Sequence, residues 1–369
     1  MTNIKIKETQ AFIDLVGRAA NVASKKPDTI RSGIMVNAKE NKIAVRTMNE
    51  SVSVQVDAID ITETEGEIAF VVPAKLFLDM IKKLPKGDVE LVIEDKKMDI
   101  VVGKSSYGIS TYAVDEFPQA VAYEEGTIFQ VEGPTFAESL SAVVYACSES
   151  EARPILTGVH ILSNGKYLTL IATDSVRLAA NAVPIIAPTE EFKNVVVPKT
   201  SVNELVTLIA DQKEVEFSIS QNQLSLKTEG ITFTTRLLDG TFPDVTKLIP
   251  SEFESEVVLH KDELLKALDR SKTALGPKEK IARFSVVEGT LSTLTIEGKT
   301  EITKIFEELF VDEAGVGISL KLNVHYLMNS LNSMSSKKVR LQFGGVTKPM
   351  LVRPEVEGAT QFGLLLPVR

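Results

Sequence analysis

The chain has 369 residues, which at roughly 100–200 residues per domain predicts two or three domains, and this length divides evenly by three. Apolar residues make up 44% of the chain and charged residues 25%, which excludes a disordered protein, and the single cysteine, Cys147, excludes a disulfide framework and a cysteine zinc site. The formal net charge is −9, no apolar stretch reaches the ~18–20 residues of a membrane span, and the first residues lack an export signal, so a soluble cytoplasmic protein is expected.

Each third of the chain is predicted to open with a short alternating strand followed by an amphipathic helix. The strands cover residues 4–7, 128–132 and 256–260. In the middle third, the helix is expected over residues 134–148 and places Cys147 on its apolar face, so Cys147 is interpreted as a buried packing thiol. The apolar positions of this helix and of its counterpart in the last third are Phe136, Leu140, Val143, Leu264, Leu268 and Leu275.

A second helix is predicted in each third, because an apolar stripe with i, i+4, i+7 spacing recurs at an offset of 125 residues. The stripe consists of Phe77, Ile81 and Leu84, then Val202, Val206 and Ile209, then Leu327, Leu331 and Met334. Segments between the helices alternate with period two, which is typical of antiparallel strands. The sequence therefore predicts an α+β fold with three similar sheet-rich domains of two helices each, spanning residues 1–123, 127–250 and 254–369.

No arrangement of residues indicates catalysis. Residues 103–105 and 298–300 resemble the end of a phosphate-binding loop but lack its preceding glycine. No histidine has a partner at metal-ligand spacing, and no nucleophile elbow occurs. These observations favour a binding or structural protein over an enzyme, with no metal or cofactor; the histidines are His160, His260 and His325.

Four segments together resemble one family. They are residues 152–159 (ARPILTGV), 170–179 (LIATDSVRLA), 238–244 (LDGTFPD) and 364–369 (LLLPVR). They look like the bacterial beta sliding clamps, the processivity subunits of replicative DNA polymerases, and the resemblance covers the whole chain. It implies the DNA clamp fold, in which a head-to-tail homodimer forms a six-domain ring whose helices line a hole for duplex DNA. Such a clamp performs no chemistry and needs only sequence-independent attraction to phosphates.

The resemblance also implies an apolar pocket in which the replicative polymerase, the clamp loader ATPase and repair proteins dock a short linear peptide. Lys247 stands where the family usually has arginine, which puts a bidentate contact there in doubt. For the last strand, a buried position is the alternative to a pocket position, above all for Leu364 and Leu366. The implied pocket residues are Leu156, Thr173, Asp174, Ser175, Val176, Arg177, Leu178, Pro243, Lys247, Leu248, Leu364, Leu365, Leu366, Pro367, Val368 and Arg369.

Cations on or beside the predicted helices are the candidates for facing DNA. The alternative for each is a solvated helix charge, and the first helix of the middle third has no Lys or Arg. At the dimer seam, the resemblance points to Ala274 and Leu275 against Tyr107 and Ile109 of the partner, although Leu275 also fits a core position. The DNA-facing candidates are Lys25, Lys26, Lys75, Lys82, Lys83, Arg153, Lys199, Lys266, Arg270 and Lys272.

Two other functions stay open from the sequence alone. The middle third has few basic residues, which is compatible with a repurposed clamp paralogue whose DNA or loader binding is altered. The alternative from another functional class is a multidomain hydrolase with a carboxylate site at a domain junction. Only the acidic character of the middle third suggests it.

Overall fold

The computed structural model describes residues 2–23, 29–64, 66–85, 87–119, 121, 123–228, 230–289 and 292–368. Each third of the chain contributes two helices, as the repeat predicts. No helix in these ranges has the length and apolar character needed to cross a membrane. The helices are α1 (Thr9–Ala20), α2 (Ala74–Ile81), α3 (Gly133–Val144), α4 (Lys199–Ile209), α5 (Lys261–Leu275) and α6 (Val324–Asn332).

Strands form most of the remaining regular structure. The first third contains β1 (Thr2–Ile6), β2 (Gly33–Lys39), β3 (Lys42–Met48), β4 (Val52–Asp60), β5 (Thr62–Thr64), β6 (Glu67–Pro73), β7 (Val89–Glu94), β8 (Lys97–Val102) and β9 (Ser105–Ser110). The middle third contains β10 (Thr127–Glu132), β11 (Gly158–Ser163), β12 (Tyr167–Thr173), β13 (Arg177–Pro184), β14 (Phe192–Pro198), β15 (Glu214–Ile219), β16 (Gln223–Thr228) and β17 (Ile231–Arg236). The last third contains β18 (Ser255–His260), β19 (Ile281–Val287), β20 (Thr293–Lys299), β21 (Lys304–Phe310), β22 (Glu313–Ala314), β23 (Ile318–Asn323), β24 (Lys338–Phe343), β25 (Met350–Pro354) and β26 (Phe362–Leu365).

The chain forms two compact units, and the first contains two antiparallel sheets. This unit comprises Met1–Pro134, Ile186–Thr189 and Glu204–Leu237. Sheet A has the order β5-β1-β7-β8-β9, and sheet B has the order β10-β15-β16-β17-β4-β3-β2-β6. Because β17 pairs with β4, sheet B joins strands of the middle third to strands of the first third.

The second unit comprises Thr135–Ile185, Glu190–Asn203 and Leu238–Arg369. Sheet C has the order β14-β11-β12-β13-β26-β25-β24-β18-β22, and sheet D has the order β21-β20-β19-β23. The pairing of β13 with β26 joins the middle third to the last third. Each repeat therefore distributes its strands over two sheets, and sheets A and D consist of strands from one third only.

The predicted apolar stripes lie against the sheets. Phe77 of α2 is fully buried, and its ring packs edge-on against Phe12 of α1 and Phe70 of β6 at centroid distances of 5.9 and 6.4 Å. In the last third, Leu327 and Leu331 of α6 belong to a large core cluster that also contains Leu264 and Leu268 of α5. The i, i+4, i+7 spacing thus identified the buried faces, but its last position lies beyond the helix in two of the thirds: Leu84 follows the end of α2 and Met334 follows the end of α6. Leu84 and Val206 are only partly buried.

Gly33 and Gly158 stand at equivalent positions of the first and middle thirds, 125 residues apart, and close packing explains why both are glycine. A Cβ on Gly33 would stand 2.7 Å from Val71 Cγ1, and a Cβ on Gly158 would stand 2.5 Å from the Val197 carbonyl oxygen. Both glycines begin a strand that pairs directly with the Val-Val-Pro strand of the same repeat. The repeated glycine is therefore required by close strand packing.

The first helix of the middle third is shorter than predicted. It ends at Val144, and the N–H groups of Ala146 and Cys147 bond three residues back to Val143 and Val144 in tight turns. Cys147 consequently follows the helix and does not lie on its face. It is nevertheless fully buried, as expected for a packing thiol, and burial raises its pKa to about 12.

Candidate functional site

The turn between β12 and β13 is held by hydrogen bonds from two side chains. Asp174 Oδ1 accepts the backbone N–H groups of Val176 and Arg177 at 3.0 and 2.9 Å. Thr173 Oγ1 donates to the Arg177 carbonyl at 2.6 Å and accepts the N–H of Ser175 at 3.1 Å. Ser175 has a left-handed backbone with φ of 77°, which a residue with a Cβ adopts at a cost. The turn therefore presents residues 176 and 177 in a defined geometry.

The Arg177 guanidinium is enclosed by one carboxylate and two aromatic rings. Its Nε donates to Asp174 Oδ2 at 2.9 Å, and the arginine side chain is only 9% exposed. Its Cζ lies 4.4 Å from the ring centroid of Tyr326 and 5.6 Å from that of Tyr145, within cation–π range. Among the described residues, Arg177 Nη1 has no hydrogen-bond partner. The arginine is thus fixed in place and keeps one donor unused.

Four separate segments converge in one apolar cluster beside this arginine. Leu156, Leu178 and Leu364 are buried in it, and Leu178 is the direct cross-strand partner of Leu364. Phe242 and Val245 belong to the same cluster, which places the segment containing Pro243, Lys247 and Leu248 next to the others. The structure therefore brings together residues that are up to two hundred positions apart in the sequence.

Apolar side chains remain exposed around this cluster. Val176, Leu248 and Leu366 are 42%, 48% and 36% exposed, and the Leu366 N–H donates to the Val176 carbonyl at 3.1 Å. Leu365 differs from them, since it is buried in the core of the last third. Of the other residues implied for the pocket, Ser175, Pro243 and Lys247 are exposed, Pro367 and Val368 are partly exposed, and Arg369 lies outside the described residues.

Several neighbours of this site were not predicted from the sequence. No sequence motif includes Tyr145, Tyr326 or Leu351. Folding brings the two tyrosines to Arg177 and Leu351 to the apolar cluster. Phe242 lies in the segment 238–244, which carries part of the resemblance to the family. Asp244 Oδ1 accepts from Thr246 N–H and Oγ1 at 3.0 and 2.6 Å, which shapes the turn before Leu248 and lowers the pKa of that carboxyl.

His160 supports the cluster from the adjacent strand. Its ring stacks on Phe242 with a centroid distance of 4.6 Å, and Nε2 lies 2.7 Å from the Lys193 carbonyl oxygen. Nδ1 is buried and has no partner among the described residues. Burial lowers the pKa of His160, and the Lys193 carbonyl opposes that shift only in part. The neutral imidazole with its proton on Nε2 therefore fits this position.

The candidate DNA-facing cations fall into three groups. Lys25 and Lys26 lie outside the described residues. Arg270 is bound to Glu307 by two hydrogen bonds of 2.8 and 2.6 Å, and Lys199 forms an ion pair with Glu149. The remaining candidates are exposed: Lys75, Lys82, Lys83, Arg153, Lys266 and Lys272.

The candidate seam residues lie at one sheet edge and one helix end. Tyr107 and Ile109 share a face of β9, the edge strand of sheet A; Tyr107 is exposed and Ile109 is buried. Leu275, the last residue of α5, is buried in the core with Leu264, which is the core position that the sequence left open. Ala274 is partly buried against the same core.

Comparison with known proteins identifies a family over nearly the whole chain. The N-terminal, central and C-terminal domains of the DNA polymerase III beta subunit match residues 2–121, 130–244 and 246–369. Beta sliding clamps from Bacillus subtilis and Staphylococcus aureus are 29% and 28% identical over 360 and 351 residues, covering 94% and 92% of both chains. The crystal structure of the Bacillus subtilis DNA polymerase sliding clamp has a TM-score of 0.89 at 27% identity, covering 100% of this chain and 99% of that one. The chain therefore belongs to the DNA polymerase III beta subunit family, the bacterial beta sliding clamps.

Proposed function

We propose that this chain is a non-catalytic processivity clamp that acts in the cytoplasm, where a ring of two copies encircles duplex DNA and tethers the replicative polymerase. The match of all three clamp domains is the observation that carries this conclusion. We place the three domains at residues 1–123, 127–250 and 254–369. A ring that slides needs no base readout, so its contacts with DNA are made to phosphates.

The surface formed by Val176, Leu248 and Leu366 is the proposed docking site for a partner peptide. These side chains are exposed above buried leucines from three segments. Such a surface suits Leu and Phe side chains of a short linear peptide, and the buried Arg177 fixes the turn that presents Val176. The polymerase, the clamp loader ATPase and repair proteins are expected to contain such peptides.

Binding of a fluorescent peptide with neighbouring Leu and Phe residues tests this site. Val176→Ser and Leu366→Ser are expected to raise its Kd at least about tenfold, because each removes an apolar contact of about 1.5–3 kcal/mol when covered. Val287→Ser, at a valine of the last third that is 46% exposed, is the matched control for Val176→Ser. An unchanged Kd in both site variants would exclude this surface as the docking site.

Two exposed sheet edges support a head-to-tail dimer. β9 ends sheet A and β21 ends sheet D, so the unpaired backbone of one chain's β9 can meet that of its partner's β21. A heterologous contact of this kind closes into a ring if the rotation is right. Sedimentation should give twice the 40.3 kDa chain mass, and Tyr107→Asp should shift it to one chain mass. A wild-type monomer at micromolar concentration would contradict the ring.

The exposed lysines and Arg153 are the proposed source of the attraction to DNA. Lys75, Lys82, Lys83, Lys266 and Lys272 are expected to contribute more than Arg270 and Lys199, which carboxylates already hold. Each lost phosphate contact should reduce the slope of log K against log salt by about 1. If Lys272→Ala and wild type show the same slope of log K against log salt, Lys272 does not contact DNA.

A further inference from the structure

Sheet D has helices on one face only. α5 packs against β20 and β21, and α6 packs against β23. Leu294, Ile296 and Leu309 point to that side and are buried. Side chains alternate along each strand, so the opposite face carries Phe306 and Phe310 of β21, which are 59% and 66% exposed. This second surface, the open face of sheet D, displays two aromatic rings to solvent.

The open face of sheet D also carries like charges in direct opposition. Arg283 of β19 stands opposite Lys321 of β23, and Lys299 of β20 stands opposite Lys304 of β21. Directly opposed like charges destabilise a sheet. Within the described part of the chain, none of these four cations forms an ion pair. The fold gains nothing from these like-charge pairs, and together the four cations give this face a basic character.

The cations and one ring border a common groove. A cavity of about 550 Å³ is lined by Arg283, Lys299, Lys304, Lys321 and Phe306. Arg283, Glu297 and Phe306 are consecutive cross-strand neighbours on the same face, so a single carboxylate separates the guanidinium from the ring. The four cations outnumber the carboxylates of the groove, Glu297 and Glu279. A third carboxylate of the face, Glu308, lies between the two rings on β21 and accepts a hydrogen bond from Thr293 Oγ1 at 3.2 Å.

We propose that the open face of sheet D binds single-stranded nucleic acid. Strand-binding proteins combine a basic groove, which follows the phosphates, with aromatic side chains on which bases stack, and sheet faces serve as such platforms. Phe306 and Phe310 lie four residues apart on one strand, about 13 Å, so they receive separate bases. An acidic peptide would use the cations but leave the rings without stacking partners, so a nucleic acid strand fits the whole surface better. The proposed dimer contact uses the backbone edge of β21, whereas the two rings project from the face of sheet D.

Fluorescence anisotropy of labelled single-stranded oligothymidine with the full-length protein at low salt tests the proposal. The Phe306→Ala/Phe310→Ala double variant is expected to weaken binding by about tenfold or more, because each stacked base contributes about fivefold or more and the variant removes two stacking sites. Arg283→Ala and Lys321→Ala should each lower the salt dependence of binding. Tyr167→Ala, which removes an exposed tyrosine of β12, is the matched aromatic control and should leave the affinity unchanged.

Two further measurements separate this face from the central hole and from a peptide site. Lys266→Ala/Lys272→Ala, which removes two cations of α5 outside the open face, should weaken oligothymidine binding less than Phe306→Ala/Phe310→Ala does. If that variant removes binding while Phe306→Ala/Phe310→Ala does not, the proposal is overturned, although the clamp function is not. If polyglutamate displaces oligothymidine and the phenylalanine variant binds oligothymidine as tightly as wild type, the face would be assigned to acidic peptides. That result would also overturn the proposal.

Discussion

The guanidinium of Arg177 lies 4.4 Å from the ring centroid of Tyr326, so a strand of the middle repeat is joined to the first turn of α6 in the last repeat. Asp174 holds the same guanidinium from the other side through Nε. A buried charge is stable only when it is paired; Asp174 of the same repeat supplies that pair, and Tyr326 of the last repeat supplies the ring contact. The proposed peptide site therefore depends on contacts that no single repeat supplies.

Replacing Tyr326 should weaken the site without unfolding the protein. Tyr326→Leu keeps an apolar side chain but removes the cation–π contact of about 1–2 kcal/mol, so Arg177 loses one support and peptide affinity should fall about five- to tenfold. Peptide anisotropy measures this change. Tyr326→Phe keeps the ring and should bind like wild type; if it binds as weakly as the leucine variant, the ring face is not the relevant feature.

Acidification should destabilise the protein through His160. Burial lowers the folded-state pKa of His160, so the fold favours the neutral imidazole. The stability is therefore complete above the unfolded pKa near 6.5 and falls as the pH drops through that value toward the lower folded pKa. Between pH 7.5 and 5.5, the free energy of unfolding should decrease more in wild type than in His160→Phe, whose ring still stacks on Phe242. Denaturant titrations at the two pH values measure this, with His260→Gln as control, and equal pH dependence in all three proteins would show that His160 is not buried as described.

Adding one methyl group at two glycines should have opposite effects. Gly158→Ala would place a Cβ 2.5 Å from the Val197 carbonyl oxygen, which should cost about 3 kcal/mol in the free energy of unfolding. In Gly17→Ala the new Cβ lies 3.8 Å from Leu78 Cδ1, an ordinary contact, and helix propensity should add about 1 kcal/mol. Thermal or urea unfolding measures both. Equal stability of Gly158→Ala and wild type would refute the close packing of β11 on β14.

Cys147 should be inert in the native protein. Burial raises its pKa to about 12, so the thiolate is scarce at neutral pH, and the sulfur is inaccessible to reagents. Labelling by a thiol reagent at pH 8 should proceed only after denaturant is added. Fast stoichiometric labelling of the native protein would show that the segment after α3 opens readily.

The repeat made most of the fold readable from the sequence. An offset of 125 residues located the second helix of each third, and the amphipathic pattern after each opening strand indicated the first, because the buried face of a helix requires apolar residues at fixed spacing. The sharing of sheets between repeats could not be read in the same way. Pairing of β13 with β26 is a contact between distant segments, and alternation alone does not choose a partner strand.

The parts of the candidate site that are continuous in the sequence were predictable, and the contacts between them were not. The turn at residues 173–178 and the final leucines were identified through the resemblance to the family. Which leucines face inward was not, since Leu364 and Leu365 are both buried, in different clusters, while Leu366 is exposed. Tyr145 and Tyr326 reach Arg177 only after folding, and their positions carry no local signal.

Retention on DNA of defined topology tests the clamp function most directly. With a clamp loader and ATP supplied, the protein should remain on nicked circular duplex DNA through gel filtration and should be lost when that DNA is linearised. A ring held by topology predicts this difference, whereas a protein bound by charge alone stays equally on both forms. Equal retention on circular and linear DNA, or none on either, would contradict the account.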